Sequence, residues 1–116
     1  MDYRRTLSAS SLTGDKVVNS RNEDLGKVED IMLDVENGRV AYAVLSFGGF
    51  LGVGSKLFAI PWTALRLDQE TKCFILDVPK ETLDTAPGFD KDSWPDLSSE
   101  EYARSIHTHY NQPYRP

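Results

Sequence analysis

Short runs rich in apolar and β-branched residues, each followed by a polar turn, fill the chain from residue 16 to residue 78. Runs of this length and spacing are typical of β-strands joined by short connections. The pattern predicts a mostly β protein, a small antiparallel barrel or sandwich of five or six strands. The predicted strands cover residues 16–20, 25–35, 40–47, 57–62, 64–68 and 73–78.

The longest of these runs, 25–35, changes face partway along. Its apolar residues fall on both parities, Val28 and Met32 on one and Ile31, Leu33 and Val35 on the other. Alternate side chains of a strand point to opposite faces, so one flat strand does not bury both sets. A bulge or sharp coil near Glu29 and Asp30 would reconcile the pattern, as expected where a strand bends around a barrel.

The connection after this run carries a strong hairpin signal. Asn37-Gly38 is typical of a two-residue type I′ turn, because both central residues of that turn need positive φ. The next run, 40–47, is apolar on both parities, which predicts the most buried strand. Pro61 cannot donate a ladder hydrogen bond, and we expect it to separate the two runs on either side of it.

The composition changes at Pro79. Residues 79–96 are rich in Pro and Asp, with one short helical turn expected at 80–84. The sequence therefore divides into a barrel-like domain, residues 1–89, and a tail, residues 90–116.

The tail contains a predicted helix. Ser98 followed by Glu101 reads as a capping box, with Ser98 as the N-cap of a helix that ends near His109. Three apolar or aromatic residues then share one face of this helix. That face is expected to pack against the barrel or against a second subunit. Its residues are Tyr102, Ile106 and Tyr110.

The charge balance is mildly acidic, with 13 Lys and Arg against 18 Asp and Glu and a formal net charge of −5. The basic residues are scattered, which argues against nucleic acid as a partner. No apolar run reaches the ~20 residues of a spanning helix, and the N-terminus lacks the apolar region of a secretory signal. The single cysteine, Cys73, fits a reducing compartment. We expect a soluble, cytoplasmic protein without direct membrane insertion.

Residues 48–56, GGFLGVGSK, have the glycine frame of a phosphate-binding loop. The P-loop motif ends in Lys-Ser and opens a helix, whereas here Ser55 precedes Lys56 and a strand-like run follows. The segment is therefore interpreted as a long hairpin connection. Its apolar residues either fold over the barrel mouth or form a contact patch. They are Phe50, Leu51 and Val53.

Other candidate chemistry is weak. Residues 34–38 resemble a calcium loop, but their glycine comes one position early and the twelfth position is Leu45. Two residues on a helix that lie two positions apart face opposite sides, so His107 and His109 are expected to be solvated rather than to share a metal. Cys73 and Trp62 are interpreted as structural. We predict no catalytic residue, no cofactor and no metal, and hence no enzyme.

Four segments, taken in order, resemble the PRC-barrel family, which is named after the cytoplasmic domain of the photosynthetic reaction centre H subunit. The resemblance implies a small six-stranded barrel and a docking role. In that family one barrel sits on the reaction-centre core, and another forms the C-terminal half of a ribosome maturation factor that binds a ribosomal protein. The similar segments are residues 9–19, 25–49, 57–68 and 81–89.

The leading hypothesis is a non-catalytic protein-interaction module that also forms a homodimer and binds an unknown protein partner. The alternatives are a small-ligand-binding barrel with a site near the glycine loop, and a ribosome- or RNA-associated factor, which the acidic balance disfavours. Apolar and aromatic residues of the loop and the tail are the candidate interaction residues. They are Phe50, Leu51, Val53, Trp94, Tyr102, Ile106 and Tyr110.

Overall fold

The structure is a computed structural model, and it describes residues 6–48, 55–68 and 70–116. Its strands are β1 Lys16–Val18, β2 Asp24–Asp34, β3 Arg39–Gly48, β4 Ser55–Pro61, β5 Leu65–Asp68 and β6 Cys73–Leu76. Its helices are α1 Ala9–Leu12, α2 Glu81–Thr85 and α3 Glu100–His109, and a 3-10 helix, Trp62–Ala64, joins β4 to β5.

The six strands form one sheet in the order β4-β3-β2-β1-β6-β5. The prediction of a purely antiparallel barrel was wrong, because β1 and β6 pair in parallel and the barrel is open. Hairpin signals concern only strands that follow one another, whereas β1 and β6 are joined through all the other strands. Since β4 and β5 lie at opposite ends of the sheet and only Trp62–Ala64 connects them, the sheet has to curl into a half-barrel.

The hairpin of β2 and β3 confirms the predicted bulge. The pairing shifts register between Val28 and Asp30, and again between Met32 and Leu33. The double shift adds twist to the strand at the point where its hydrophobic pattern changes parity. The sequence pattern therefore located this irregularity correctly.

The predicted two-residue type I′ turn was wrong. Asp34 pairs with Arg39, so residues 35–38 form a four-residue connection. Of the Asn37-Gly38 pair only Gly38 has a positive φ, 65°. The Asp34 side chain accounts for the longer turn, because its carboxylate accepts hydrogen bonds from the backbone N–H of Asn37 (3.2 Å) and from its side-chain amide (2.8 Å).

Strand β3 lies at the centre of the hydrophobic core, as its pattern predicted. Four consecutive residues, 42–45, are buried. Strands β2 and β4 flank it on either side, and side chains from α2, α3 and Phe89 complete the core. A strand covered on both faces reads as a continuous apolar run, which is why this one was visible in the sequence.

The outer edge of β4 is covered by the chain itself. Leu57 and Phe89 exchange two backbone hydrogen bonds, of 2.9 and 2.8 Å. Gly88 allows this approach, since a Cβ there would lie 2.8 Å from the Phe58 ring and 3.0 Å from the Leu57 carbonyl oxygen. Pro61 ends β4, in agreement with its predicted role.

Helix α3 packs on its own sheet. Ala103, Ile106 and Tyr110 belong to the same buried cluster as β3 and β4. The N-cap was predicted one residue too early: the side chain of Ser99, not Ser98, accepts a hydrogen bond from the Tyr102 N–H (3.2 Å). Ser98 is instead held in the preceding turn by the carboxylate of Asp96.

The turn between β1 and β2 is organised by a buried amide. Asn19 is 4% exposed, and its side-chain oxygen accepts hydrogen bonds from the N–H groups of Arg21 and Glu23. Its side-chain NH₂ donates to the Glu23 carboxylate and to the Val78 carbonyl. Because every polar group of this side chain has a partner, Asn19 joins the turn to Val78, two residues beyond β6, at little cost in desolvation.

Candidate protein-interaction surface

The far end of the β2–β3 hairpin exposes large apolar side chains. Leu33, near the end of β2, is 63% exposed, and Val35, in the connection, is 83% exposed. Exposed apolar side chains that lie close together often mark a binding surface. We call residues 33–38 the hairpin tip.

Next to the hairpin tip, β2 loses its second partner. Strand β1 pairs only with residues 24–27 of β2. The last bonds on that side join Val28 to Asp15 (2.9 Å) and Gly14 to Val28 (2.7 Å). Beyond them, the distal half of β2, residues 29–34, pairs with β3 alone among the strands of the described chain. A strand bonded on one side presents N–H and C=O groups without a strand partner on the other. In this stretch the Ile31 N–H donates to the carboxylate of the neighbouring Asp30 (2.8 Å).

The same stretch is acidic. Glu29, Asp30 and Glu36 are exposed, and the fourth carboxylate, Asp34, forms an ion pair with Arg39 at 3.1 Å. Hydrogen bonds from Asn37 hold the pKa of Asp34 below its ordinary value, with a smaller contribution from Arg39. Across the described ranges no three His, Cys, Asp or Glu side chains are grouped as a metal site. The carboxylates thus form an open negative strip beside apolar side chains.

The sequence-predicted residues are distributed differently. Phe50, Leu51 and Val53 lie outside the described residues. Trp94 is 40% exposed, with its ring 5.1 Å from that of Phe89. Tyr102 is half-buried, whereas Ile106 (0% exposed) and Tyr110 (4%) are buried in the core of their own chain. The helix residues therefore meet the sheet of the same chain, one of the two arrangements left open by the sequence.

The contact between α3 and β3 contains a group of tyrosines. Burial raises the pKa of Tyr42 to about 12, and it also raises the pKa values of Tyr102 and Tyr110. Among the described protein groups, neither the Tyr102 nor the Tyr110 hydroxyl has a hydrogen-bond partner. Buried hydroxyls of this kind are usually satisfied by an ordered water. We assign this group to the packing of α3.

The histidines also serve the packing of α3, so the expectation that they are solvated was wrong. The Nδ1–H of His107 donates to the Ala103 carbonyl (2.7 Å), and its ring packs edge-on against Tyr42. The Nε2–H of His109 donates to the Thr82 carbonyl of α2 (3.1 Å). The two rings point to different neighbours, as expected from their spacing on the helix.

Trp62 and Cys73 take no part in an exposed site. The Trp62 ring lies 5.8 Å from Phe74 and packs against the core, which supports its structural interpretation. Cys73 is half-buried, and its thiol donates to the Thr71 carbonyl at 3.5 Å.

The sequence did not identify Leu33 and Val35 as candidate interaction residues. Both were assigned to a strand that was expected to bend around a closed barrel, where each apolar residue finds a covered face. The available signal was the parity change itself, since a strand with apolar residues on both faces needs a covering layer on both. The described residues supply that layer for β3 but not for the hairpin tip.

An open β half-barrel with a short helical cover defines the class of this protein. A family model described as PRC-barrel domain matches residues 5–83. The chain belongs to the PRC-barrel family. No curated protein matches it. None of the described helices combines the length and the apolar character needed to cross a membrane.

Proposed function

We propose that this chain is a non-catalytic docking module that binds another protein through the hairpin tip. The observation that carries the proposal is the exposure of Leu33 (63%) and Val35 (83%) beside a strand edge without a second partner in the described chain. Water-exposed leucine and valine side chains gain free energy when a partner covers them. Membership of a family whose barrels act in docking supports the same reading.

The buried Asn19 and the two half-buried histidines have structural uses, which supports a non-catalytic role. Asn19 is fully hydrogen-bonded within its turn, and both histidines donate to backbone carbonyls. An active site, by contrast, usually holds titratable groups close together with shifted pKa values. The pKa values raised by burial belong to tyrosines that pack α3 against the sheet.

The test uses the purified protein as bait in a lysate of its native host, beside two matched variants. Leu33→Ser with Val35→Ser removes the apolar groups of the hairpin tip. Leu7→Ser is the control, because Leu7 is also exposed (50%) but lies before α1. We expect a protein that co-purifies near stoichiometry with the wild type and the control to be lost with the double variant. Equal capture by all three baits would contradict the proposal.

A homodimer also remains part of the proposal. Ile106 and Tyr110 are buried within their own chain, so Trp94 is the exposed residue among the candidate interaction residues of the tail. Light scattering after size exclusion distinguishes a monomer from a homodimer, because it measures the mass of the particle and the monomer has a mass of 13.0 kDa. A mass of twice that value, reduced by Trp94→Ser, is the expected result. A monomer mass across the micromolar range would contradict a dimer.

A further inference from the structure

We infer that the distal half of β2 binds an extended segment of a partner protein that carries Lys or Arg alternating with apolar residues, as an additional strand. This inference rests on the proposed function and specifies the chemistry of the partner.

The edge of β2 that faces away from β3 is available for an additional strand. On the side away from β3, the bonded neighbours of β2 end at Val28, and the strand continues to Asp34. An extended peptide laid along such an edge gains main-chain hydrogen bonds, and pockets or neighbours for its alternate side chains provide specificity. Exposed Leu33 and Val35 provide apolar neighbours for that purpose.

Charge identifies the occupant. Residues 29–36 contain four carboxylates, at Glu29, Asp30, Asp34 and Glu36. Of the basic side chains that flank them in the hairpin, Arg39 is paired with Asp34, and Lys27 lies two positions before Glu29. Opposite charges on neighbouring strands stabilise a pairing, and like charges opposite each other destabilise it. A second copy of β2 would set carboxylates against carboxylates. A basic segment would neutralise them.

The other edges of the sheet are less suitable. Phe89 already bonds to the outer edge of β4 at Leu57. Strand β5 pairs with β6 alone among the described strands, but its Leu65 and Leu67 pack against the core. Exposed apolar side chains next to an open edge therefore coincide, in the described chain, at the distal half of β2.

The experiment measures binding of a fluorescein-labelled heptapeptide of alternating Lys and Val by fluorescence anisotropy at low and physiological salt. Two matched peptides separate the contributions. One has Glu in place of Lys, and the other keeps the Lys-Val sequence but carries an N-methyl group on every backbone amide, which removes the hydrogen-bond donors of both strand edges. We expect saturable binding of the Lys-Val peptide, weakened by salt, and at least tenfold weaker binding of both matched peptides.

Two protein variants place the site. Glu29→Lys with Glu36→Lys reverses charge at the edge, and Glu70→Lys with Asp92→Lys makes the same change at exposed positions elsewhere. We expect the first pair to weaken peptide binding at least tenfold and the second pair less than twofold. Equal losses would show attraction to overall charge, and unchanged binding of the N-methyl peptide would exclude strand addition; either result overturns the inference.

Failure of the inference can be told from failure of the proposed function. If the hairpin-tip variants lose a captured partner but the Lys-Val peptide does not bind, docking stands and strand addition is wrong. If light scattering shows a dimer that the Glu29→Lys, Glu36→Lys variant dissociates, the edge is occupied by a second copy, which also overturns the inference.

Discussion

The two halves of β2 have a similar share of apolar residues but different surroundings. The proximal half, residues 24–28, lies between β1 and β3, and its Leu25 and Val28 are 0% and 2% exposed. The distal half pairs with β3 alone among the described strands, and its Leu33 is 63% exposed. Apolar content is therefore a poor guide to burial in this strand. What covers the face of the sheet decides it, because Leu25 and Val28 belong to the buried core cluster and Leu33 does not.

The largest expected difference in the free energy of unfolding is between leucine truncations in the two halves. Leu25→Ala removes a fully buried side chain, which costs about 2–5 kcal/mol. Leu33→Ala removes an exposed one, and its free energy of unfolding should change by no more than about 0.5 kcal/mol. Urea unfolding of both variants measures the difference. Similar losses would show that the distal half is covered in solution in the same way as the proximal half.

A second pair of variants tests how closely the proximal half is packed. Gly26 has a φ of 111°, and a Cβ there would lie 2.1 Å from the Ser46 carbonyl oxygen of β3. Gly14 has a φ of 89°, and a Cβ added there would have no neighbouring atom within 4 Å. Both alanine variants incur backbone strain, but Gly26→Ala should lose about 1–3 kcal/mol more because of overpacking. Equal losses in thermal or urea unfolding would mean that β2 and β3 separate easily at this point.

The tyrosines buried on the covered side of the sheet should make the free energy of unfolding depend on pH in the alkaline range. Folding raises the pKa of Tyr42 to about 12 through burial, against about 10 for an unfolded tyrosine. The stabilising effect of the neutral form is complete below pH 10 and is lost as the pH rises through the folded value. The free energy of unfolding should therefore fall from pH 10 towards pH 12.

Two variants, one on the covered side of the sheet and one on the open side, test whether buried tyrosines cause this loss of stability at alkaline pH. Tyr110→Phe removes another hydroxyl with a raised pKa from beneath α3, so its stability should fall less steeply over the same pH range. Leu33→Ala, on the open side, should follow the wild type. If Tyr110→Phe follows the wild-type curve, the Tyr110 hydroxyl is not shielded by the fold.

The smallest effect concerns the hairpin tip. Hydrogen bonds from Asn37 lower the pKa of Asp34, so their contribution is present above the unfolded value of 3.8 and is lost as the pH falls through the lowered one. NMR titration of the Asp34 carboxyl should give a pKa below 3.8, and Asn37→Ala should raise it. An unchanged pKa in Asn37→Ala would mean that the turn geometry at Asp34 is wrong.

Local patterns predicted the strands well and the sheet less well. The parity change around Val28 located the bulge, and the continuous apolar run of β3 located the most buried strand. The parallel pairing of Val17 with Phe74 left no mark on either segment, because it joins residues that are distant in sequence. The type I′ prediction failed because the Asp34 carboxylate organises a longer turn.

The candidate site was harder to predict than the fold. Tyr102, Ile106 and Tyr110 have the spacing of an apolar helix face, and that spacing is the same whether the face meets its own sheet or a partner. Only the position of α3 in the folded chain shows that Ile106 and Tyr110 are buried internally. Conversely, Leu33 looked like a core residue because an apolar strand residue has the same sequence signal whether or not another element covers its face of the sheet.

Backbone amide hydrogen exchange along β2 tests the central claim most directly. We expect slow exchange at Val28, whose N–H bonds to Asp15, and fast exchange at those amides of residues 30–34 that point away from β3. Loss of protection should therefore begin just beyond Val28. Uniform slow exchange from Leu25 to Asp34 in the isolated monomer would show that the distal edge is already paired, and it would contradict both the comparison and the proposed docking site.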